Sequence, residues 1–94
     1  MQIVWLRTAL KNLDELAEYI AQDNPVAAAK MVTEIMQQIE VLKTQPALGR
    51  PGRVVGTREL VISNTCFLVP YRIKNNQVQI LRVFHTSQKP PGKW

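Results

Sequence analysis

The chain has 94 residues, of which 46% are hydrophobic and 20% are charged. This is the size and composition of one globular domain, so a two-domain enzyme and a disordered segment are both excluded. The apolar runs are too short for a membrane-spanning helix, and charged residues interrupt positions 1–20, where a secretory signal would need an unbroken apolar stretch. We therefore expect a cytoplasmic protein that makes no membrane contact.

The chain contains one cysteine and one histidine. They are too few for an internal disulfide or a zinc site, and no glycine-rich phosphate loop occurs in the sequence. We therefore expect neither a metal nor a cofactor.

The charge is divided unequally along the chain, whose formal net charge is +5. Residues 1–47 contain four Lys/Arg and six Asp/Glu, whereas residues 48–94 contain eight Lys/Arg and one Asp/Glu. This asymmetry favours a polyanionic or acidic protein partner for the second half. The alternative is a basic surface that binds no partner.

The first half predicts one strand and two helices. Residues 1–6 include the strand formers Ile3, Val4 and Trp5. Thr8 is expected to cap the helix that follows. That helix carries an apolar stripe at helical spacing, formed by Leu13, Leu16, Ala17 and Ile20.

The second helix is expected to begin after Asn24, which is a good N-cap residue, with Pro25 at its first position. It should run to about Thr44 and stop before Pro46. Its apolar stripe consists of Ala28, Met31, Val32, Ile35, Ile39 and Leu42. Because the connection between the helices is so short, we expect them to lie antiparallel as a hairpin.

The second half predicts an irregular loop over residues 46–56 and then three strands over 58–62, 66–73 and 78–85. Asparagines between the strands suit tight hairpin turns, which indicates an antiparallel meander. Pro70 lies inside the second of these strands and cannot donate to a sheet, so we expect a bulge or an unpaired side there. Residues 86–94 should form a loose or partner-bound tail of the single domain 1–94.

The element order β-α-α-β-β-β leads to a two-layer α+β fold. The helix hairpin has an apolar stripe and the sheet has an apolar face, so each should cover the other. We expect the N-terminal strand to join an edge of the same sheet.

Two residues of the last strand are candidates for chemistry. His85 could transfer a proton near neutral pH, although a lone histidine is more often a plain surface residue. Arg82 lies among apolar neighbours, so it should either face an exposed sheet surface or be paired, with Glu59 as a possible partner. Cys66 and Tyr71 are both interpreted as core residues.

Three segments of the sequence carry a resemblance to a known family. They are LDELAEYIAQDNPVAAAKMV at 13–32, LGRPGRVVGTRELVI at 48–62 and FLVPYRIKNNQVQILRVFH at 67–85. Together they resemble the ParE/RelE superfamily of bacterial toxins, the toxin halves of type II toxin–antitoxin modules. The resemblance covers about residues 3–88. It implies the RelE/ParE-like fold, a cognate antitoxin as partner, growth inhibition and a role in plasmid stabilisation, with DNA contact only through the antitoxin complex.

The superfamily contains two activities, and the resemblance is closer to the ParE-like branch, whose members poison DNA gyrase and block replication. In that interpretation no residue is catalytic. The alternative is a RelE-like, metal-independent endoribonuclease that cleaves mRNA in the ribosome, with Arg58, Arg82 and His85 as its catalytic groups. A third possibility is a neutralised toxin or another binding module.

Two features of the sequence disfavour the ribonuclease. No Asp or Glu lies between Glu40 and Glu59, where members with a glutamate base place it, and Thr86 stands where some ribonucleases have an aromatic residue. We predict that the residues contacting the target are Arg50, Arg53, Arg58, Arg82, His85, Lys89 and Lys93.

Overall fold

A computed structural model describes residues 1–89 and 91–94, so only Pro90, within the predicted tail, lies outside the described residues. The first element is strand β1 (Gln2–Trp5), followed by helices α1 (Arg7–Ala21) and α2 (Pro25–Glu40) and a 3₁₀ turn over Val41–Lys43. The remaining strands are β2 (Arg50–Pro51), β3 (Arg58–Val61), β4 (Phe67–Lys74), β5 (Gln77–Ile80) and β6 (Phe84–His85). None of the described helices is long and apolar enough to cross a membrane.

The strands form one sheet in the order β1-β5-β4-β3-β2, with β6 paired to β4 beside this path. β1 lies at one edge and pairs parallel with β5, while the other pairings are antiparallel. The expected α+β fold is confirmed, as is the edge position of the N-terminal strand. β2 adds a short strand inside the segment that was predicted to be irregular.

The helix hairpin covers one face of the sheet. Buried residues of the two helices meet buried residues of β3, β4 and β5 in one core, which consists of Ala9, Leu13, Ile35, Ile39, Leu42, Leu60, Ile62, Val69, Tyr71, Val78, Ile80 and Val83. The predicted α2 stripe supplies Ala28, Ile35 and Ile39 to the interior. The two layers therefore stabilise each other through a shared apolar interface.

The two helix starts differ from each other. The side chain of Asn24 accepts a hydrogen bond from the Ala27 N–H at 3.0 Å and Pro25 is at the first turn, as predicted. The prediction of a Thr8 cap is wrong, because α1 begins at Arg7 and the residue before it, Leu6, makes no side-chain cap. The chain enters α1 straight from β1, so Thr8 already lies inside the first turn.

The strand predicted over 78–85 is interrupted, which corrects the prediction. Tyr71 pairs with Ile80 and Leu68 pairs with Phe84, so two residues of β4 lie opposite three residues of the other chain segment, 81–83. One extra residue on one side defines a β-bulge. Pro70 is one of the two residues opposite it, as expected for a residue without an N–H, and its carbonyl accepts from the Leu81 N–H at 2.9 Å.

The tight turns use asparagine in the left-handed region. Asn75 and Asn76 join β4 to β5 with φ of 54° and 58°, and Asn64 has φ 63° in the turn between β3 and β4. Positive φ at both central residues is the geometry of the type I′ hairpin turn. Cys66 lies between the Asn64 turn and β4, and it is exposed. The prediction that Cys66 belongs to the core is therefore wrong.

Candidate functional site: two clusters of basic residues

The loop before β2 is fastened to the core by Tyr71. The Tyr71 side chain is fully buried, as predicted, and its hydroxyl donates to the Pro46 carbonyl at 2.7 Å and accepts from the Gly49 N–H at 2.8 Å. Arg58 reinforces the same loop, because its Nη1 donates to the carbonyls of Gly49 at 2.8 Å and Ala47 at 3.3 Å. Nη1 of Arg58 is thus occupied by main-chain oxygens.

Burial raises the pKa of Tyr71 above its ordinary value of 10.0, while the hydrogen bond from Gly49 and the positive charge of Arg58 partly offset this. The hydroxyl therefore stays protonated at neutral pH and keeps donating to Pro46. Such a group cannot serve as a general base, because it holds its proton and has no solvent access.

Glu59 is a buried carboxylate that organises the edge of the sheet. It is 1% exposed, its Oε2 accepts from the Arg53 N–H at 3.0 Å, and its Oε1 lies 3.2 Å from Nη2 of Arg50 and 3.7 Å from Nε of Arg53. These contacts correct the suggestion that Glu59 pairs with Arg82. The register that places Arg50 opposite Glu59 in the β2–β3 ladder brings the carboxylate to Arg50.

Between Arg50 and Arg58 the chain forms a braced loop, which we call the tip loop (Gly52–Thr57). Gly52 N–H donates to the Thr57 carbonyl at 2.8 Å, and both the N–H and the Oγ1 of Thr57 donate to the Val54 carbonyl, at 3.1 and 2.7 Å. A Cβ on Gly52 would collide with Oγ1 and with the main chain of Thr57, so only glycine allows this closure. Gly56 has φ 82°, which a type II turn requires at its third position.

A second basic cluster lies at the bulge after β5. Arg82 donates from Nε and Nη2 to the main-chain oxygen of Trp94, at 3.1 and 2.7 Å. The Trp94 ring packs edge-on against Phe84 with centroids 5.1 Å apart. The end of the described chain therefore contacts the sheet here, while the wider prediction of a loose or partner-bound tail over 86–94 stays a prediction.

His85 is held by its own turn. The Ser87 N–H lies 3.1 Å from His85 Nδ1, and Ser87 Oγ lies 2.6 Å from the same nitrogen. Because a main-chain N–H can only donate, Nδ1 is the acceptor and the neutral ring carries its proton on Nε2. Phe67 fixes the ring from the side, with centroids 5.3 Å apart.

Two residues that the sequence analysis did not assign to a site share a cleft with His85. This cleft between α1 and the end of the sheet has a volume of about 230 Å³ and is lined by Asn12, Glu15, Leu16, Tyr19, Val83, His85 and Gln88. Of these, Glu15 and Tyr19 are the two residues of α1 that carry an ionisable side chain. Their spacing in the sequence could have indicated this cleft. Glu15 and Tyr19 follow Asn12 by three and seven residues, and residues at these intervals lie on the same side of a helix.

The structure separates the predicted contact residues into two groups. Arg50, Arg53 and Arg58 lie on or beside β2 and β3, whereas Arg82 and His85 lie at the bulge and on β6. β2 and β6 are three strand spacings apart across the sheet, about 14 Å by the usual spacing. Lys89 and Lys93 are exposed in the last segment. Among residues 1–89 and 91–94, no three His, Cys, Asp or Glu side chains gather as metal ligands would.

A concave feature lies between α2 and β3, and we call it the α2–β3 groove. Its volume is about 630 Å³, and its walls include the apolar residues Val41, Leu48 and Val61, which are 39%, 51% and 48% exposed. β2 pairs with β3 only at Arg58 and Glu59, so within the described chain the outer edge of β3 at Val61 has no neighbouring strand. The groove therefore combines apolar walls with an open strand edge.

Comparisons with known proteins agree with this architecture. Residues 3–90 match the family described as the ParE toxin of type II toxin–antitoxin system, parDE. The chain is 44% identical over 90 residues to the predicted toxin Y4kP of Sinorhizobium fredii, covering 96% of this chain and 93% of that protein. It is 30% identical over 87 residues to toxin RelE2 of Caulobacter vibrioides, covering 93% and 97%.

A solved structure described as the chromosomal ParDE TA system from P. aeruginosa matches with a TM-score of 0.83. The sequence identity is 32%, and the match covers 93% of this chain and 97% of that one. The resemblance to the ParE/RelE superfamily is thus confirmed along nearly the whole chain. On this combination of family match, relatives and fold, the chain belongs to the ParE toxin family of type II toxin–antitoxin systems.

Proposed function

We propose that this toxin acts in the cytoplasm by poisoning DNA gyrase, so that cleaved DNA accumulates and replication stops, and that it is not an enzyme. One observation carries the proposal beyond the family assignment. The guanidinium groups of Arg58 and Arg82, which a ribonuclease would need for phosphate, are both already bound to main-chain oxygens, on different parts of the sheet. A phosphate at Nη1 of Arg58, or at Nε and Nη2 of Arg82, would compete with these contacts, and at Arg58 it would weaken the hold on the loop before β2.

The ribonuclease alternative is favoured by one feature, the cleft that Glu15 and Tyr19 share with His85. A carboxylate or a phenol near an imidazole could take part in proton transfer. The described residues that line the cleft include no Lys or Arg that could hold a phosphate.

The two activities differ in a direct assay. Wild-type toxin is incubated with purified gyrase and supercoiled plasmid, and separately with ribosomes that are translating a defined mRNA. We expect linearised plasmid after detergent treatment in the first reaction and intact mRNA in the second. Cleaved mRNA together with intact plasmid would refute the gyrase proposal.

The His85→Gln variant provides a test with a matched control. If the toxin poisons gyrase, His85→Gln and Glu15→Gln should both retain most of the growth inhibition. A ribonuclease that depends on general acid–base catalysis should instead lose about 10²–10⁴-fold in rate. Loss of all toxicity in a folded His85→Gln protein, beside a wild type that cuts mRNA on ribosomes, would establish the alternative.

Membership of a type II system implies a cognate antitoxin, and we propose that an antitoxin segment occupies the α2–β3 groove. An extended segment could add a strand at the open edge beside Val61 and place apolar side chains against Val41 and Leu48. Val61→Lys should therefore weaken antitoxin binding and leave growth inhibition by the free toxin unchanged. Unaltered antitoxin affinity in this variant would place the antitoxin elsewhere.

A further inference from the structure

Val55, at the apex of the tip loop, is the most exposed large hydrophobic residue among those described, at 99%. A single exposed apolar side chain is ordinary on a protein surface. Here, however, three hydrogen bonds close the loop beneath it, from the donors Gly52 N–H, Thr57 N–H and Thr57 Oγ1. These hydrogen bonds therefore hold the exposed valine at a fixed position on the surface.

The base of the same loop carries two fixed cations. Arg50 and Arg53 contact the buried Glu59, yet their side chains remain 52% and 41% exposed. Their orientation is set from the inside, while part of each guanidinium faces solvent. The arrangement is a rigid apolar tip with positive charge behind it, and rigidity of this kind reduces the ordering cost of binding.

We propose that the tip loop is the element that docks into the protein target of this toxin, with Val55 entering an apolar pocket whose rim carries carboxylates facing Arg50 and Arg53. This inference rests on the proposed function, because it supplies a contact surface for the gyrase target. It assigns a binding role to Val55, which the sequence analysis did not consider because valine is neither charged nor reactive.

A protein partner fits the tip loop better than a nucleic acid does. The carboxylate of Glu59 offsets part of the charge of Arg50 and Arg53, so the loop is a weak phosphate site. Residues 52–57 contain no aromatic side chain on which a base could stack. An aliphatic tip gains most from burial in an apolar pocket.

A folded partner fits better than the antitoxin. The tip loop is convex and rigid, so it needs a concavity that already exists on the other protein. A segment that orders only on binding has no such pocket and is better accommodated in a groove. The α2–β3 groove is a concave feature of that kind, and an antitoxin bound there leaves the convex loop for the target.

The test compares Val55→Ser with the control Val26→Ser, because Val26 is 78% exposed at the start of α2, far from the tip loop in sequence and in no proposed contact. Both variants remove an exposed valine, so unchanged thermal unfolding is expected for each. We measure binding of wild type and variants to purified gyrase, to the antitoxin and to plasmid DNA alone, and growth inhibition in cells. Val55→Ser should bind gyrase about 30-fold more weakly, the factor that truncation of an interface hot spot produces, whereas Val26→Ser and antitoxin binding should be unchanged.

Results other than the expected one also decide whether the tip loop docks into the target. Equal gyrase binding by wild type and Val55→Ser would overturn this inference and leave the proposed function standing. Equal weakening of antitoxin or DNA binding would show that the loop contacts those partners instead, which also overturns it. If wild type does not bind gyrase at all, the proposed function fails and growth inhibition decides: a loss specific to Val55→Ser supports docking to another protein target, and full toxicity refutes it.

Discussion

Tyr71 shows how one buried polar atom can define the shape of a surface loop. Its ring belongs to the core between the layers, while its hydroxyl both donates to Pro46 and accepts from Gly49. A buried hydroxyl that satisfies two main-chain groups contributes most through the penalty that its removal would create. The course of the chain into β2 therefore depends on a side chain from the middle of the sheet.

Tyr71→Phe should lower the free energy of unfolding by about 1–3 kcal/mol at pH 7, because it leaves the Gly49 N–H and the Pro46 carbonyl without their partner. Urea denaturation measures the change. Tyr19→Phe is the control, since Tyr19 is 73% exposed and should alter stability by less than about 0.5 kcal/mol.

For the same variant, we predict that its difference in stability from wild type changes at alkaline pH. The pKa of Tyr71 is raised in the folded state, so the protonated hydroxyl contributes stability that is complete below pH 10.0, the ordinary value, and is lost as the pH rises through the folded pKa. The stability gap between wild type and Tyr71→Phe should therefore narrow above that pH. A gap that stays constant or widens would contradict the assigned pKa direction.

Glu59 illustrates what residue-level reasoning could not find. Arg82 was named as a possible partner of Glu59 in the sequence analysis, although Arg50, Arg53 and Arg58 lie nearer in the sequence. The choice depends on the two-residue ladder between β2 and β3, which places Arg50 opposite Glu59. A strand of two residues leaves no periodic pattern to read, so this pairing was not predictable.

At the scale of elements, the helices followed their sequence patterns more closely than the strands did. Helix starts depend on a few local side chains, and the Asn24–Pro25 pair predicted the start of α2 correctly. The bulge at 81–83 depends instead on pairing with Pro70, eleven residues or more away. Alternation in VQILRVFH looks the same with or without a bulge, and only Pro70 on the partner strand indicated that pairing would be disturbed.

The difference between the two helix starts predicts different losses of stability when each candidate cap residue is replaced. Asn24→Ala should destabilise the protein by about 1 kcal/mol, because it removes the acceptor of the Ala27 N–H. Thr8→Ala should change stability by less than about 0.5 kcal/mol, because no cap hydrogen bond precedes α1. Thermal or urea denaturation of both variants checks the pair, and an equal loss in the two would mean that Thr8 does cap α1 in solution.

At the scale of the whole molecule, the division of charge along the chain becomes a division between layers. The first half, with an excess of acidic residues, supplies both helices, and the basic second half supplies five of the six strands. The sheet side therefore carries the positive potential that an acidic partner would meet first. Within it, the base of the tip loop, with Arg50 and Arg53, and the bulge, with Arg82, are separate positive patches.

Neutralising two single charges in each layer, one at a time, tests this asymmetry. Arg53→Gln and Arg82→Gln should slow association with the target by roughly 3–10-fold at low salt, because exposed charges act mainly on the association rate. Lys11→Gln and Lys30→Gln on the helices should have little effect. Neutralisation is preferable to reversal at Arg53, where a new carboxylate would face Glu59. Stopped-flow measurements at two salt concentrations give the rates, and equal effects in both layers would show that the asymmetry does not direct binding.

The parallel pairing of β1 with β5 has a consequence for when the protein can acquire its structure. Gln2 lies beside Gln77, and the Leu6 N–H donates to the carbonyl of Ile80 at 3.0 Å. At the usual elongation rates of 5–20 residues per second, the ribosome needs about 4–15 s to synthesise the stretch that separates these partners. During that time Ile3 and Trp5 have no strand to pair with, so a nascent chain cannot complete the sheet. The complete sheet therefore forms only after β5 has been synthesised.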